Sequence, residues 1–566
     1  MKKEDFRTGI AGAIAGAAAI SVEEASAQLT VPPRAEMGDF AFPCFALAKS
    51  LKKAPPAIAS ELASKLAKCT AGVEAVEAAG PFVNFRLDRA RYTEAVLREA
   101  ARAGASYGRS SEGAGKVIAI DYSSPNIAKP FHVGHLRSTI IGGALYRLFA
   151  ALGYRSVGIN HLGDWGTQFG KQIVGLKRWG RPEDLKDLMA LNQLYARYHA
   201  EETAHPELAD EAREWFRRQE AGDKEALGLW EAIRDTSLDY FKRIYARLGV
   251  QFDAYTGESY FNDKMEPVVE EAKAKKLASI SEGALVIDLE RVGIKTPALL
   301  KKADGATLYL TRDLAAARYR HDTYRFHKLL YVVGTAQSLH FQQLFAVLKL
   351  LGDDWARDCV HVNFGLVLGM SSRKGEVIYL EALLDEARAR ALKAMRETIE
   401  KRAEVDDEEA VAEAVGLSAI FFADLSKQRI KDYEFDWSRA LSFEGDTGPY
   451  LMNAHARIAG IVRKCGVDLD PEADLSPLVE PEAYSLVKLL GRYPDVLREA
   501  ARLYEPSVLA GYLLDLAHGL HSSYQSLRVK DEAIQVAQAR LLLFSVVKNV
   551  LSSGLGILGI PALERM

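Results

Sequence analysis

The apolar run Lys116-Val117-Ile118-Ala119-Ile120-Asp121-Tyr122, followed by Pro130-Phe131-His132-Val133-Gly134-His135 and then Ser156-Val157-Gly158-Ile159-Asn160, constrains this chain more than any other feature. A strand that is apolar throughout is buried on both faces, as in a parallel sheet. Strand, helix and strand in that order make a βαβ unit, whose crossover is right-handed and whose ligands sit beyond the carboxyl ends of the strands. Pro130 suits the first turn of the intervening helix, where its missing N–H costs nothing, and the free backbone donors there can face a triphosphate. His132 and His135 then lie one turn apart, suited to hydrogen-bonding phosphate oxygens, and Gly134 leaves room for a nucleotide to approach. Taken alone, the HxxH spacing also suits a metal pair or two core histidines.

The 566 residues exceed what one core requires and predict three or four domains, with 48% apolar residues available to bury. Lysine plus arginine (73) nearly balances aspartate plus glutamate (76), which argues against a nucleic-acid coat and confines any RNA-binding surface to a local basic patch. Cys44, Cys69, Cys359 and Cys465 form no CxxC pair, which predicts a reducing, cytoplasmic setting and no zinc cluster. At the start, Lys2, Lys3 and Arg7 precede the weakly apolar stretch Ile10 to Ile20, and Ala25-Ser26-Ala27 resembles a cleavage site, the pattern of a secretory signal. The alanine and glycine content, the flanking Glu4, Asp5, Glu23 and Glu24, and the want of a run of roughly 20 apolar residues favour the first helix of a small domain.

The expected fold class is α/β. A split Rossmann-type parallel sheet with a helical insertion follows a small α+β N-terminal domain and precedes an all-α C-terminal domain. The boundaries read as 1–110, closing in the Gly- and Ser-rich linker Gly104 to Gly115; 111–404, with the insertion at about 171–278; and 405–566. Strands are expected again at GALVIDL (283–289), ATLYLT (306–311), KLLYVVGT (328–335) and CVHVNFGLVLG (359–369), completing a doubly wound sheet. Helical runs from Asp313 to His321 and from Gln337 to Leu351 separate them.

Ser123-Ser124-Pro125-Asn126-Ile127-Ala128-Lys129-Pro130-Phe131-His132-Val133-Gly134-His135-Leu136-Arg137-Ser138 resembles the HIGH region of class I aminoacyl-tRNA synthetases, in the form found in arginyl-tRNA synthetases. The likeness continues through NHLGDWGTQFG (160–170), KADGATLYLTRDLAAARYR (302–320), YVVGTAQSLHFQQLF (331–345), HVNFGLVLGMSSRKG (361–375), FEGDTGPYL (443–451), AHARI (454–458) and the closing LGIPALERM. The resemblance implies that ATP, accompanied by Mg²⁺, and L-arginine give arginyl-adenylate, and that the arginyl group passes to the 3′ end of tRNA(Arg). No protein nucleophile is needed, so catalysis falls to positioning and electrostatics. Lys129, His132, Gly134 and His135 are the catalytic candidates. Asp313 and Tyr309 would receive the guanidinium, with Asp121 as a second acidic partner; Asn126 and Gln337 would hold the amino-acid backbone, helped by Ser124, Pro125 and His135. From the residues alone, Asp313 equally suits a helix cap and Tyr309 a strand position.

The second signature departs from the class pattern: Gly369-Met370-Ser371-Ser372-Arg373 stands where KMSKS is usual, so both lysines are missing. The resemblance assigns ATP binding to Lys129, His132, His135, Met370, Ser371, Arg373 and Lys374, with Lys129 taking over the lost charge. The C-terminal domain resembles a DALR-type anticodon-binding domain, with Ala454, Arg457, Arg463 and Lys464 expected to contact tRNA. It reads LMNAHAR where the family has LQYAHAR, so contacts of the replaced glutamine and tyrosine do not carry over. Tyr524 suits a stacking platform or a core position. Phe40, Phe42 and Phe45 of the N-terminal module are read chiefly as core. As in the family, a monomer that forms the adenylate only with tRNA bound is expected. The alternatives are a catalytically silent tRNA-binding or regulatory relative, and an enzyme for another amino acid.

Overall fold

A computed structural model describes residues 3–32, 34–67, 72–303, 309–369, 378–397 and 407–566. Two compact units emerge: Met1–Gly108 with Ala454–Asp495 and Leu514–Ser553, and Arg109–Asn453 with Val496–Leu513 and Gly554–Met566.

In the first unit, helix Lys3–Ala18 buries Phe6, Ile10 and Ile14, one residue per turn on one face, which makes it a core helix of the module. It accompanies a three-stranded antiparallel sheet whose central strand, Phe82–Leu87, pairs with Phe40–Pro43 and Val73–Ala79. The three phenylalanines divide. Phe42 is fully buried, Phe40 lies half-buried with the Arg7 guanidinium 5.9 Å from its ring centre, and Phe45 is 56% exposed, edge-on to Phe82. The C-terminal residues of this unit dock on the same module: Arg98 donates to Pro471 O at 2.6 Å and Ala473 O at 2.7 Å, and Tyr107 OH donates to Leu490 O at 3.1 Å. The helix Ile534–Leu558 is long and apolar enough to cross a membrane by length and composition alone, yet most of its apolar stretch is buried inside the protein, where its side chains form core.

The second unit is built on a five-stranded parallel sheet. Its strands are β1 (Val117–Asp121), β2 (Arg155–Asn160), β3 (Ala254–Tyr255), β4 (Lys328–Tyr331) and β5 (Cys359–His361), in the order β5-β4-β1-β2-β3. The chain leaves β1 through helix α1 (Val133–Ala151), lays down β2 and β3 to one side, and returns to place β4 and β5 on the other. Strand order therefore reverses between β1 and β4, the position at which a doubly wound sheet opens a crevice. Four helices, Gln168–Trp179, Leu188–Glu202, Glu207–Glu220 and Lys224–Leu248, separate β2 from β3. β3 re-enters the sheet within the stretch read as helical, since a two-residue edge strand leaves no periodic signal.

Two expected strands take other forms. GALVIDL contributes Ala284–Ile287 to a separate three-stranded antiparallel sheet. Glu282 and Gly283 both hold positive φ (51° and 80°), a tight turn that folds the strand back on Ala278–Ser281 rather than into the parallel sheet. From Tyr309 onward the expected strand ATLYLT gives way to helix α2 (Tyr309–Tyr324), which buries Leu310, Leu314 and Ala317, a helical spacing that overrides the short alternation. Residues 304–308 lie outside the described residues. Helix α3 (Ser338–Leu351) packs on the same core, with Leu344 and Leu348 joining Ala119, Ile159 and Leu329 of the sheet.

Candidate active site

The site forms where the loops after β1, β2 and β4 meet. Asn126 and Gly163 pair as a parallel bridge, with Ile127 N–H donating to Gly163 O at 3.2 Å and Gly163 N–H to Pro125 O at 3.1 Å. A side chain at 163 would collide with that of Asn126, which explains the glycine. Ser123, Ser124 and Ala128 all adopt positive φ (67°, 47° and 63°). Such backbone costs of the order of 1 kcal/mol or more per residue and persists where the surroundings over-determine it. Here Ser123 N–H donates to Ser138 Oγ at 2.9 Å, Thr139 Oγ1 donates to Ser123 Oγ at 2.8 Å, and Ala128 N–H donates to Ser237 Oγ at 3.0 Å.

α1 begins at Val133 with His132 as its N-cap, so Pro130 precedes the helix rather than opening its first turn. The proline instead fixes the approach to the cap. His132 Nδ1 accepts from Gly134 N–H at 3.0 Å, and His135 Nδ1 faces His132 N–H at 3.4 Å. Both Nδ1 atoms act as acceptors, so each neutral ring carries its proton on Nε2. The ring centres are 3.9 Å apart. Burial, with His132 adding to it, pushes His135 down to about 3; burial and Lys129 also lower His132. The pair therefore offers two uncharged Nε2–H donors. Gly134 is needed because a Cβ there would sit 2.7 Å from His132 Cε1. Lys129 is exposed, its ammonium 5.1 Å from the ring centre of Tyr195.

A titration consequence follows. The folded-state value of His135 lies below its ordinary 6.5, so on acidification the unfolded chain takes up this proton first. Stability is then lost as pH falls from 6.5 towards 3, with a slope of up to about 1.4 kcal/mol per pH unit. Urea midpoints of the parent and His135→Asn at pH 7 and pH 5 should converge on acidification; parallel curves would refute the assignment.

Signature residues Met370, Ser371, Arg373 and Lys374 lie outside the described residues, but both flanks are placed. Upstream, Val367–Leu368 pairs in parallel with Tyr433–Glu434. Downstream, Leu380 N–H donates to Phe131 O at 2.8 Å, Val133 N–H donates to Ile378 O at 3.2 Å, and His132 bridges Tyr379. The chain leaving the second signature thus abuts the first.

The acidic candidates differ in their surroundings. Asp121, at the end of β1, is 6% exposed; its Oδ2 lies 2.8 Å from Arg320 and its Oδ1 accepts from Ser124 Oγ at 2.7 Å. Asp121 is therefore supplied with a countercharge by the protein itself. Asp313 falls in the second turn of α2 and so caps no helix. Its Oδ2 accepts from His340 Nε2 at 2.6 Å, and its Oδ1 lies 3.8 Å from His161 Nε2. Burial acts to raise its carboxyl, but the hydrogen bond from His340, with the positive charge of Arg320 among its neighbours, holds it below the usual range. Tyr309, 66% exposed, sits one turn before Asp313 on the same helix face. Gln337 is exposed at the foot of α3, and Asn126 is exposed on the loop after β1. Glu258, 3.2 Å from Arg312, is raised by burial to about 7. His161, His340, Arg320 and Glu258 escaped the sequence reading. His340 stands one turn beyond Gln337 and His161 directly after β2, and those placements were the available signals.

In the first unit, Arg457 and Lys464 line a cavity of about 690 Å³ with Tyr524, Arg528 and Lys530, where the basic side chains outnumber the acidic Asp531 and Glu532. The Arg457 guanidinium lies 4.5 Å from the Tyr524 ring centre. Ala454 is buried at 8% exposure, which turns its side chain inward, and Arg463 is not among the cavity-lining residues.

Paired histidine donors at the mouth of a doubly wound sheet fit a class I aminoacyl-tRNA synthetase, and residues 98–437 match the catalytic domain of the class I (R) tRNA synthetases. Residues 4–87 match the arginyl tRNA synthetase N-terminal domain and residues 451–566 the DALR anticodon binding domain. The chain belongs to the arginyl-tRNA synthetase family. An arginine–tRNA ligase of Halothermothrix orenii is 44% identical over 554 residues, covering 97% of either chain. One from Streptococcus pyogenes serotype M3 is 47% identical over 545 residues, covering 95% of either chain. The Thermus thermophilus arginyl-tRNA synthetase structure, 26% identical, superposes with a TM-score of 0.81 over 100% of both chains. That of Plasmodium falciparum, at 24% identity, shares the fold with a TM-score of 0.83 over 100% of this chain and 99% of its own.

Proposed function

We propose that this chain is an arginine–tRNA ligase that activates L-arginine with ATP and transfers it to the 3′ end of tRNA(Arg). The observation that carries this reading is the pairing, around one loop, of two uncharged imidazole donors with a carboxylate held in its charged form. His135 is tied to that loop through Thr139 and Ser123, His132 caps the same helix, and Asp313 lies 3.8 Å from His161, whose main-chain N–H donates to Ser124. Neutral Nε2–H donors suit phosphate oxygens that gain charge as pyrophosphate leaves, and they need no proton transfer to act. Asp313 receives the guanidinium, Tyr309 covers it from the rim, and Asn126, Ser124, Pro125 and Gln337 line the approach of the amino-acid backbone. Lys129, with Met370, Ser371, Arg373 and Lys374, meets the phosphates of ATP. Magnesium arrives with ATP, held through its phosphate oxygens; among the described residues no group of three or more His, Cys, Asp or Glu side chains stands ready to hold a metal. The enzyme works as a cytoplasmic monomer.

Aminoacylation of total tRNA with each of the twenty amino acids tests this reading: arginine alone should be charged, and any other preference would overturn it. Pyrophosphate exchange with arginine should stay at background until tRNA is added. The basic cavity of the first unit would take the anticodon end, where Arg457 and Tyr524 offer a stacked cation and ring. Lys464→Ala should raise the KM for tRNA and not for arginine. It should also reduce the log–log salt slope of tRNA binding by about 0.7 for the one lost phosphate contact. An unchanged slope would remove Lys464 from the interface.

A further inference from the structure

We propose that His161 is a second, uncharged recognition group for the guanidinium end of arginine, working beside Asp313. This rests on the reading that Asp313 receives that group. His161 follows β2, and its main-chain N–H donates to Ser124 Oγ at 3.1 Å, which ties it to the strained loop after β1. Its Nδ1 lies 2.9 Å from Thr256 O. A carbonyl oxygen only accepts, so Nδ1 carries the proton and Nε2 of the neutral ring holds a bare lone pair.

That lone pair faces Asp313 Oδ1 across 3.8 Å. The other carboxylate oxygen, Oδ2, is engaged by His340. Among the described residues no donor stands between Oδ1 and Nε2, so the two face each other as acceptors, an arrangement that a third group carrying N–H donors relieves. A guanidinium supplies adjacent N–H donors in one rigid plane, one for each acceptor. His340 sets the direction of Asp313, and His161 completes the acceptor pair.

Steady-state aminoacylation by the full-length protein with tRNA, arginine and ATP tests this with His161→Leu and His161→Gln. Leucine fills space without an acceptor and should raise the KM for arginine about tenfold or more, leaving the KM for ATP and the melting temperature near the parent. Glutamine returns a neutral acceptor oxygen and should restore the arginine KM to within about threefold of the parent. An arginine KM unchanged in His161→Leu, or arginine and ATP constants rising together, would overturn the proposal. Asp313→Ala separates the two readings: if it too leaves the arginine KM unchanged, the pocket assignment fails, whereas a rise there without one in His161→Leu sinks this proposal alone.

Discussion

Asp313→Ala is expected to raise the KM for arginine by about 10²-fold, with the KM for ATP held within about twofold. Removing one partner of a desolvated, hydrogen-bonded charge pair costs about 3 kcal/mol, and each 1.4 kcal/mol is about tenfold. The side chain is 25% exposed, so solvent screens part of the interaction and the effect belongs near the lower end of the range for such pairs. The variant leaves His340 and His161 facing a void, and neither can replace a negative charge. Aminoacylation kinetics with arginine and ATP varied separately would check this. Equal loss for both substrates would mean that Asp313 supports the fold instead of the substrate.

His135→Ala should act on the other substrate and on the other constant. A preorganised donor aimed at developing phosphoryl charge is worth about 10²- to 10³-fold in kcat when removed. tRNA-dependent pyrophosphate exchange should fall by that factor, the loss being larger in kcat than in the KM for arginine, whose backbone the same residue was expected to help hold. The ring is uncharged across the physiological range because burial depresses it to about 3, so the activity profile of the parent should show no acid limb from this residue near neutrality. A variant retaining more than a tenth of parental exchange would take His135 out of the reaction.

The part of the site that was legible in the chain is the part carried by local pattern. KVIAIDY and its successor βαβ unit announced the parallel sheet, and the HVGH segment announced donors at its mouth, since a helix start and a one-turn spacing are properties of adjacent residues. The pairing of Asp121 with Arg320 was invisible, because nearly two hundred positions separate them and only the return of α2 across the sheet joins them. The tautomers of His132 and His135 are likewise unreadable from the chain: they follow from which backbone N–H each Nδ1 meets. Tyr309 misled as a strand residue because three alternating apolar positions fit both periods, and the helix won only through Leu314 and Ala317 further on.

Arg320 has a chemical implication of its own. A protein that selects free arginine keeps one of its own guanidinium groups against Asp121, tethered to the fold, 2.8 Å from the carboxylate. Asp121 thus already faces a covalently attached look-alike of the ligand, and on the reading proposed above discrimination falls to Asp313. Redirecting the enzyme towards a different cationic amino acid should accordingly begin with the neighbours of Asp313, while exchanging Arg320 for a smaller residue would unmask an unwanted rival berth for the same cargo.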